Sequence, residues 1–171
     1  MTRPSFSRDL DAFGGFHPRV ADLRAFAKYW LPALVWMALI FIGSSTVGST
    51  ENTSRFLEPL LRWLVPDITV AGIHRVQVVV RKSGHLAEYA ILAVLLWRAR
   101  RRPLPGETRP WNRREAAWAA AWAAAYAVTD ELHQHFVPGR LGSVWDVLID
   151  TLGAVLGLAA VWAAGRWRRR W

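Results

Sequence analysis

The sequence predicts an all-α polytopic membrane protein, a four-helix transmembrane bundle with both termini in the cytoplasm, and three observations carry that prediction. Hydrophobic residues make up 53% of a 171-residue chain whose formal net charge is +9, an unusual pairing for a soluble globule. The two kinds of residue are segregated: arginine collects in short runs between apolar stretches. Many of the eleven tryptophans stand near the ends of those stretches, as interfacial anchors do. A nucleic-acid binder would instead carry a basic face on a soluble fold, so nucleic acid is not an expected partner; the lipid bilayer is. The absence of cysteine excludes disulfides, a thiolate nucleophile and cysteine metal ligands.

Crossing the hydrocarbon core takes roughly 20 residues, and four stretches approach that length. The first span runs over about 29–45. The second, about 78–97, is interrupted by Arg81, Lys82, His85 and Glu88. The third, about 115–134, is mostly alanine and tryptophan, and the fourth covers about 146–165. Residues 1–28 form a basic cytoplasmic lead, loosely ordered through its first 27 residues, 29–165 the membrane domain, and 166–171 a basic cytoplasmic tail. Lys and Arg number 16 in the lead, the second connection and the tail, against six in the other two connections, which places both termini inside. A secretory signal peptide competes for the first 48 residues, but the lead before Trp30 is long and favours an uncleaved anchor.

Between the first two spans, Phe56, Leu57, Leu60, Leu61 and Leu64 recur at helical spacing after a capping-type Asn52–Ser54. A short amphipathic helix on the outer leaflet is expected there, limited by Pro59 and Pro66. Its role is to join two spans or to act as a lid.

Helical rise converts these boundaries into depth. Counting about 1.5 Å per residue from the inner face puts Glu88 near the midplane at about 13 Å, His85 at about 18 Å and Lys82 at about 22 Å. Asp150 and Asp130 come out at about 22 and 24 Å. Three helices thus carry ionisable groups into one outer layer, where charges cost several kcal/mol unless paired or wet. Lys82, His85, Glu88 and Tyr89 follow one another at spacings of three or four on one helix, Asp130 and Gln134 share a face on the next, and Asp146 and Asp150 share a face on the last. Gly153 and Gly157 read as a small-residue packing pair. The stripe Trp118, Trp122, Tyr126 reads as packing or lipid-facing surface. Arg140, after Pro138-Gly139, is positioned to reach a carboxylate or an anionic headgroup.

Two separated motifs carry a family resemblance. Lys82-Ser-Gly-His85-Leu-Ala-Glu88-Tyr89 is followed by Asp130-Glu131-Leu-His-Gln134-His-Phe136-Val-Pro138-Gly139-Arg140, then Asp146 and the Gly153/Gly157 helix. Together they resemble the VanZ-like family of small bacterial membrane proteins over about residues 30–165. The resemblance implies a four-helix membrane domain in the bacterial cytoplasmic (inner) membrane and a role in susceptibility to teicoplanin-type glycopeptides. It carries over Lys82, His85, Glu88, Tyr89, Asp130, Glu131, Gln134, Arg140 and Asp146. One position departs: the family usually has Asn where this chain has Asp150, which adds a potential negative charge.

Three functions compete. The first is a non-enzymatic envelope protein holding a lipid-linked or glycopeptide ligand in the polar layer, with Lys82 and Arg140 on an anion and Asp130, Glu131 and Glu88 positioning them. The second is a membrane hydrolase or transferase acting on a lipid-linked phosphate or ester. There His85 would be base or nucleophile, Glu88 or Asp130 its orienting carboxylate, and Arg140 and Lys82 the transition-state cations. The third is a proton-coupled carrier relaying through Glu88 and His85, though four helices without evident repeat are few for alternating access. A metal-assisted variant of the enzyme would draw on His85, Glu88, Asp130, Glu131 and Asp150, all hard or borderline ligands, but no ligand spacing is diagnostic, so neither a metal nor a cofactor is expected.

Overall fold

The computed structural model describes residues 20–45, 50–103, 109–138 and 142–169. Among these residues the chain is all-helical, with α1 (Val20–Tyr29), α2 (Leu31–Ser44), α3 (Thr50–Leu64), α4 (Val70–Arg101), α5 (Arg113–His135) and α6 (Val144–Trp167). The helix ends follow local chemistry. Pro32 occupies the first turn of α2, where a missing N–H costs nothing. Thr69 Oγ1 accepts the Gly72 N–H at 3.1 Å to start α4, and Asn112 Oδ1 accepts the Arg114 N–H at 2.9 Å to start α5.

Three expectations change in detail. Val20–Tyr29 is helical where a loose lead was expected, and α1 meets α2 at a 46° bend. The amphipathic helix forms as α3, but it runs through Pro59, not up to it. The helix that contains the expected second span begins eight residues earlier than hydropathy suggested, because α4 is one continuous helix of 32 residues. Its polar N-terminal turns carry Gln77, whose Nε2 donates to Ser54 Oγ of α3 at 3.0 Å.

Taken alone, α6 is the one described helix both long and apolar enough to cross a membrane, and the bent α1–α2 pair meets the same test jointly. Helices α4 and α5 have the length but not the hydropathy: arginine, lysine, histidine and carboxylates on α4, and alanine with a polar last two turns on α5, dilute it.

The core is mixed: beside apolar residues such as Ile40, Leu92, Ala93 and Leu158 it buries Asp130, Glu131, Gln134, Asp146 and Asp150, while Val79, Ile91, Val128, Leu132, Leu148, Leu152 and Val155 face outward. Carboxylates inside and large apolar side chains outside are the reverse of the usual pattern in water.

Close approach of α4 and α6 sets the frame. A Cβ at Gly153 would collide with the backbone of Leu86, and one at Gly157 with the backbone of Ala90. The pairs 82–146, 85–150, 86–153 and 90–157 advance in the same direction on both helices, so α4 and α6 run parallel. Helix α5 returns alongside and packs against both, burying Ala119, Ala123 and Ala127. At the other end of α4, Arg101 is buried, lies 5.3 Å over the Trp97 ring, donates to Pro110 O at 3.1 Å and pairs with Glu115 at 3.3 Å. That clasp fixes how α4 turns into α5.

Replacing Gly153 by Val drives a branched side chain into the Leu86 backbone and is expected to destabilise the bundle by about 3 kcal/mol or more. Thermal unfolding in detergent checks this against Gly43→Ala, whose added Cβ meets nothing within 4 Å.

Candidate functional site

The polar layer expected from sequence exists, and the α4–α6 seam organises it. Asp146, in the first turn of α6, receives Lys82 Nζ on Oδ1 at 2.5 Å and the Arg81 guanidinium on Oδ2 at 3.2 Å. The carboxylate is buried, whereas both cations remain about 40% exposed, with their charge satisfied from within the fold. One turn further along α6, Asp150 Oδ1 lies 3.2 Å from His85 Nδ1. Asp150 is wholly buried, and beyond this His85 contact neither of its oxygens has a hydrogen-bonding partner among the described residues.

Helix α5 contributes the second half. Asp130 Oδ2 accepts the Ser44 hydroxyl from α2 at 2.7 Å and the Gln134 amide at 3.2 Å. Gln134 Nε2 also donates to Glu131 Oε1 at 3.3 Å. Glu131 Oε2 accepts the Ser143 N–H at 2.7 Å, binding the end of α5 to the start of α6. One ligand-type atom each of His85, Glu131 and Asp150 lies within 4.8 Å of the others, so α4, α5 and α6 converge on one point. Tyr89, fully buried one turn below His85, stacks obliquely on Tyr126 with ring centres 6.3 Å apart.

Of the residues expected at the site, Lys82, His85, Tyr89, Asp130, Glu131, Gln134, Asp146 and Asp150 belong to this layer. Glu88 is half-buried at its margin; its turn of α4 is held by Trp36, whose Nε1 donates to the Glu88 carbonyl at 2.9 Å. Arg140 lies outside the described residues. The carboxylate beside His85 is Asp150, not Glu88 or Asp130. Spacing within α4 suggested Glu88, but the buried face of α4 runs through His85, Tyr89, Leu92 and Ala93 towards α6. Ser44 was missed: a serine closing an apolar span carries no signal beyond the Gly43-Ser44-Ser45 break. Ser143 acts through its backbone N–H, which sequence cannot reveal.

Beside the layer, α2, α4 and α5 enclose a cavity of about 360 Å³ lined by Ala33, Met37, Leu96, Trp118 and Trp122 and ending at Tyr126 and Thr129. The tryptophan stripe of α5 therefore lines a groove as well as packing: Trp118 meets Trp30 edge-on at 6.1 Å. Tyr126, which lines the groove, lies against Tyr89 of the polar layer, so the two regions share one wall.

The VanZ/LLP1 family model matches residues 29–165, and the chain belongs to that family. No curated protein and no solved structure matches it.

In a double-mutant cycle, Lys82→Met and Asp146→Asn are expected to couple by roughly 1 kcal/mol, modest because the lysine is partly solvated. Ser44→Ala is expected to cost about 1–3 kcal/mol, since Asp130 Oδ2 stays buried with one donor fewer. Unfolding in detergent reads both.

Proposed function

We propose that this VanZ/LLP1-family chain is a multi-pass protein of the bacterial cytoplasmic membrane, with four spans and both termini inside, that binds an amphiphilic envelope ligand and thereby affects glycopeptide susceptibility. The observation that carries the reading is that the groove and the layer lie side by side. An apolar slot suited to an acyl or polyprenyl chain is lined by Tyr126, whose ring meets Tyr89 of the polar layer at 6.3 Å. A lipid-linked headgroup or a lipidated antibiotic has that division into a chain and a polar end.

Carboxylates inside and large apolar side chains outside support the membrane assignment, and the skew of lysine and arginine supports the orientation. On this reading α2, α4, α5 and α6 span, 1–28 and 166–171 are cytoplasmic, and α3 lies along the outer leaflet over the N-terminal turns of α4. Lys82 and Arg81 are engaged by Asp146, so the ligand's polar end is recognised chiefly through hydrogen-bond donors directed at Asp130 and Glu131, with Arg140 available to an anionic part.

A second reading, a hydrolase or transferase acting on a lipid-linked phosphate or ester, is favoured by the His85–Asp150 contact. A carboxylate beside an imidazole orients it and supports it as a general base. His85→Gln separates the two: it abolishes an enzyme's turnover and leaves a binder's ligand retention largely intact.

The test is tolerance to teicoplanin in a sensitive host, at matched membrane levels. Wild type is expected to raise tolerance, and Asp130→Asn, Glu88→Gln and the groove-filling Ala125→Trp to lose most of the gain. No gain from a well-inserted wild type would detach the chain from glycopeptide susceptibility, and full activity of Ala125→Trp would remove the groove from the account.

A further inference from the structure

Among the described residues the charges of the layer do not balance. Its buried carboxylates are Asp130, Glu131, Asp146 and Asp150, while the described cations paired there are Arg81 and Lys82, which leaves a formal excess of two negative charges among them when His85 is neutral. Both cations are spent on Asp146, the carboxylate nearest the helix end, and neither is hydrogen-bonded to Asp130, Glu131 or Asp150. Among the described residues His85 is the one group beside Asp150 able to carry positive charge, and a wholly buried carboxylate facing a neutral imidazole is under-compensated by several kcal/mol.

We propose that His85, Glu131 and Asp150 form a binding site for a divalent transition-metal cation of the Zn²⁺ or Mn²⁺ type. Two independent observations support it. The three side chains come from three helices, and their ligand atoms gather within 4.8 Å of one another, a convergence that adjacency in sequence does not produce. Asp150 is also completely buried, with Oδ1 facing His85 Nδ1 at 3.2 Å and Oδ2 without a partner among the described residues.

The surroundings already orient the other ligands. Ser143 N–H and Gln134 Nε2 each hold one oxygen of Glu131, fixing the plane of that carboxylate while leaving it further lone pairs. One imidazole nitrogen with two carboxylates, and no thiolate, matches the borderline-to-hard preference of these ions. A divalent cation cancels the formal excess of two charges and ties α4, α5 and α6 together at one point. It also gives the layer an electrophilic centre for a phosphate or carboxylate oxygen, which the salt-bridged Lys82 and Arg81 offer poorly. Asp150 gains a reason here: an Asn at that position offers a neutral oxygen, a weaker ligand than a carboxylate. The site stands whether or not the groove binds an amphiphile, because its readout is metal and not antibiotic tolerance.

The experiment uses the full chain, purified in detergent with a tag that contains no histidine. Metal content is measured by mass spectrometry, and unfolding is followed by tryptophan fluorescence after chelator stripping and addition of Zn²⁺ or Mn²⁺ alone. Wild type is expected to retain about one equivalent per chain and to unfold at a higher temperature with the ion restored. Asp150→Asn and Glu131→Gln, both nearly isosteric, are expected to lose the retained metal and the thermal shift, while Glu58→Gln on α3 keeps both. Circular dichroism confirms that each variant is helical; should Asp150→Asn fail to fold, Glu131→Gln decides the matter. A wild type that carries neither metal and shifts with neither ion overturns the proposal, as does a folded Glu131→Gln that binds as wild type does.

Discussion

The structure depends on how closely α4 and α6 approach. Gly153 and Gly157 present backbone to the backbone of Leu86 and Ala90, and no side chain fits between. On the membrane reading proposed above there is little hydrophobic force between helices, so such close contact and the polar pairs it permits would provide most of the adhesion. The same two helices carry Lys82–Asp146 and His85–Asp150 immediately outward of the glycine contacts. Packing and chemistry are therefore one feature: widening the seam by a methyl group would move the imidazole away from its carboxylate.

From that seam the other helices take their places. Helix α5 fits against both by presenting alanine where the bundle is narrow and Asp130, Glu131 and Gln134 where it opens. Helix α2 adds Ser44 to Asp130 at the top, Trp36 to the Glu88 carbonyl, and receives the Tyr126 hydroxyl on Met37 O at 2.7 Å. The aromatic side chains thus use their polar ends to satisfy backbone carbonyls and their rings to line the groove. Arginines at the opposite end behave alike, with Arg98 lying 5.6 Å over Tyr29 and Arg100 5.4 Å over Trp118.

Much of this was legible because the signals were periodic. Leucines at helical spacing announced α3, Gly153 and Gly157 announced a close contact, and helical rise placed His85, Asp130 and Asp150 at one depth. What the sequence withheld depends on rotation about helix axes and on backbone groups. Spacing made Glu88 a neighbour of His85, but α4 turns His85 towards α6, so Asp150 becomes its partner. The early start of α4 was hidden by Arg75 and Gln77, which read as loop until α3 supplies Ser54 as a partner. Pro59, expected with Pro66 to limit the length of the helix, is tolerated inside α3. Ser44 and the Ser143 N–H have no pattern to betray them.

The central claim is that the polar layer sits in the outer half of a four-span bundle, and the chain's lack of cysteine makes that directly measurable. Single cysteines introduced as Ser54→Cys, Ser143→Cys, Asn112→Cys and Arg169→Cys would be challenged with a membrane-impermeant maleimide in spheroplasts, then again after the membrane is opened. The account predicts labelling of Ser54→Cys and Ser143→Cys from outside, and of Asn112→Cys and Arg169→Cys only after opening. External labelling of Asn112→Cys, or protection of Ser143→Cys until the membrane is opened, would contradict it.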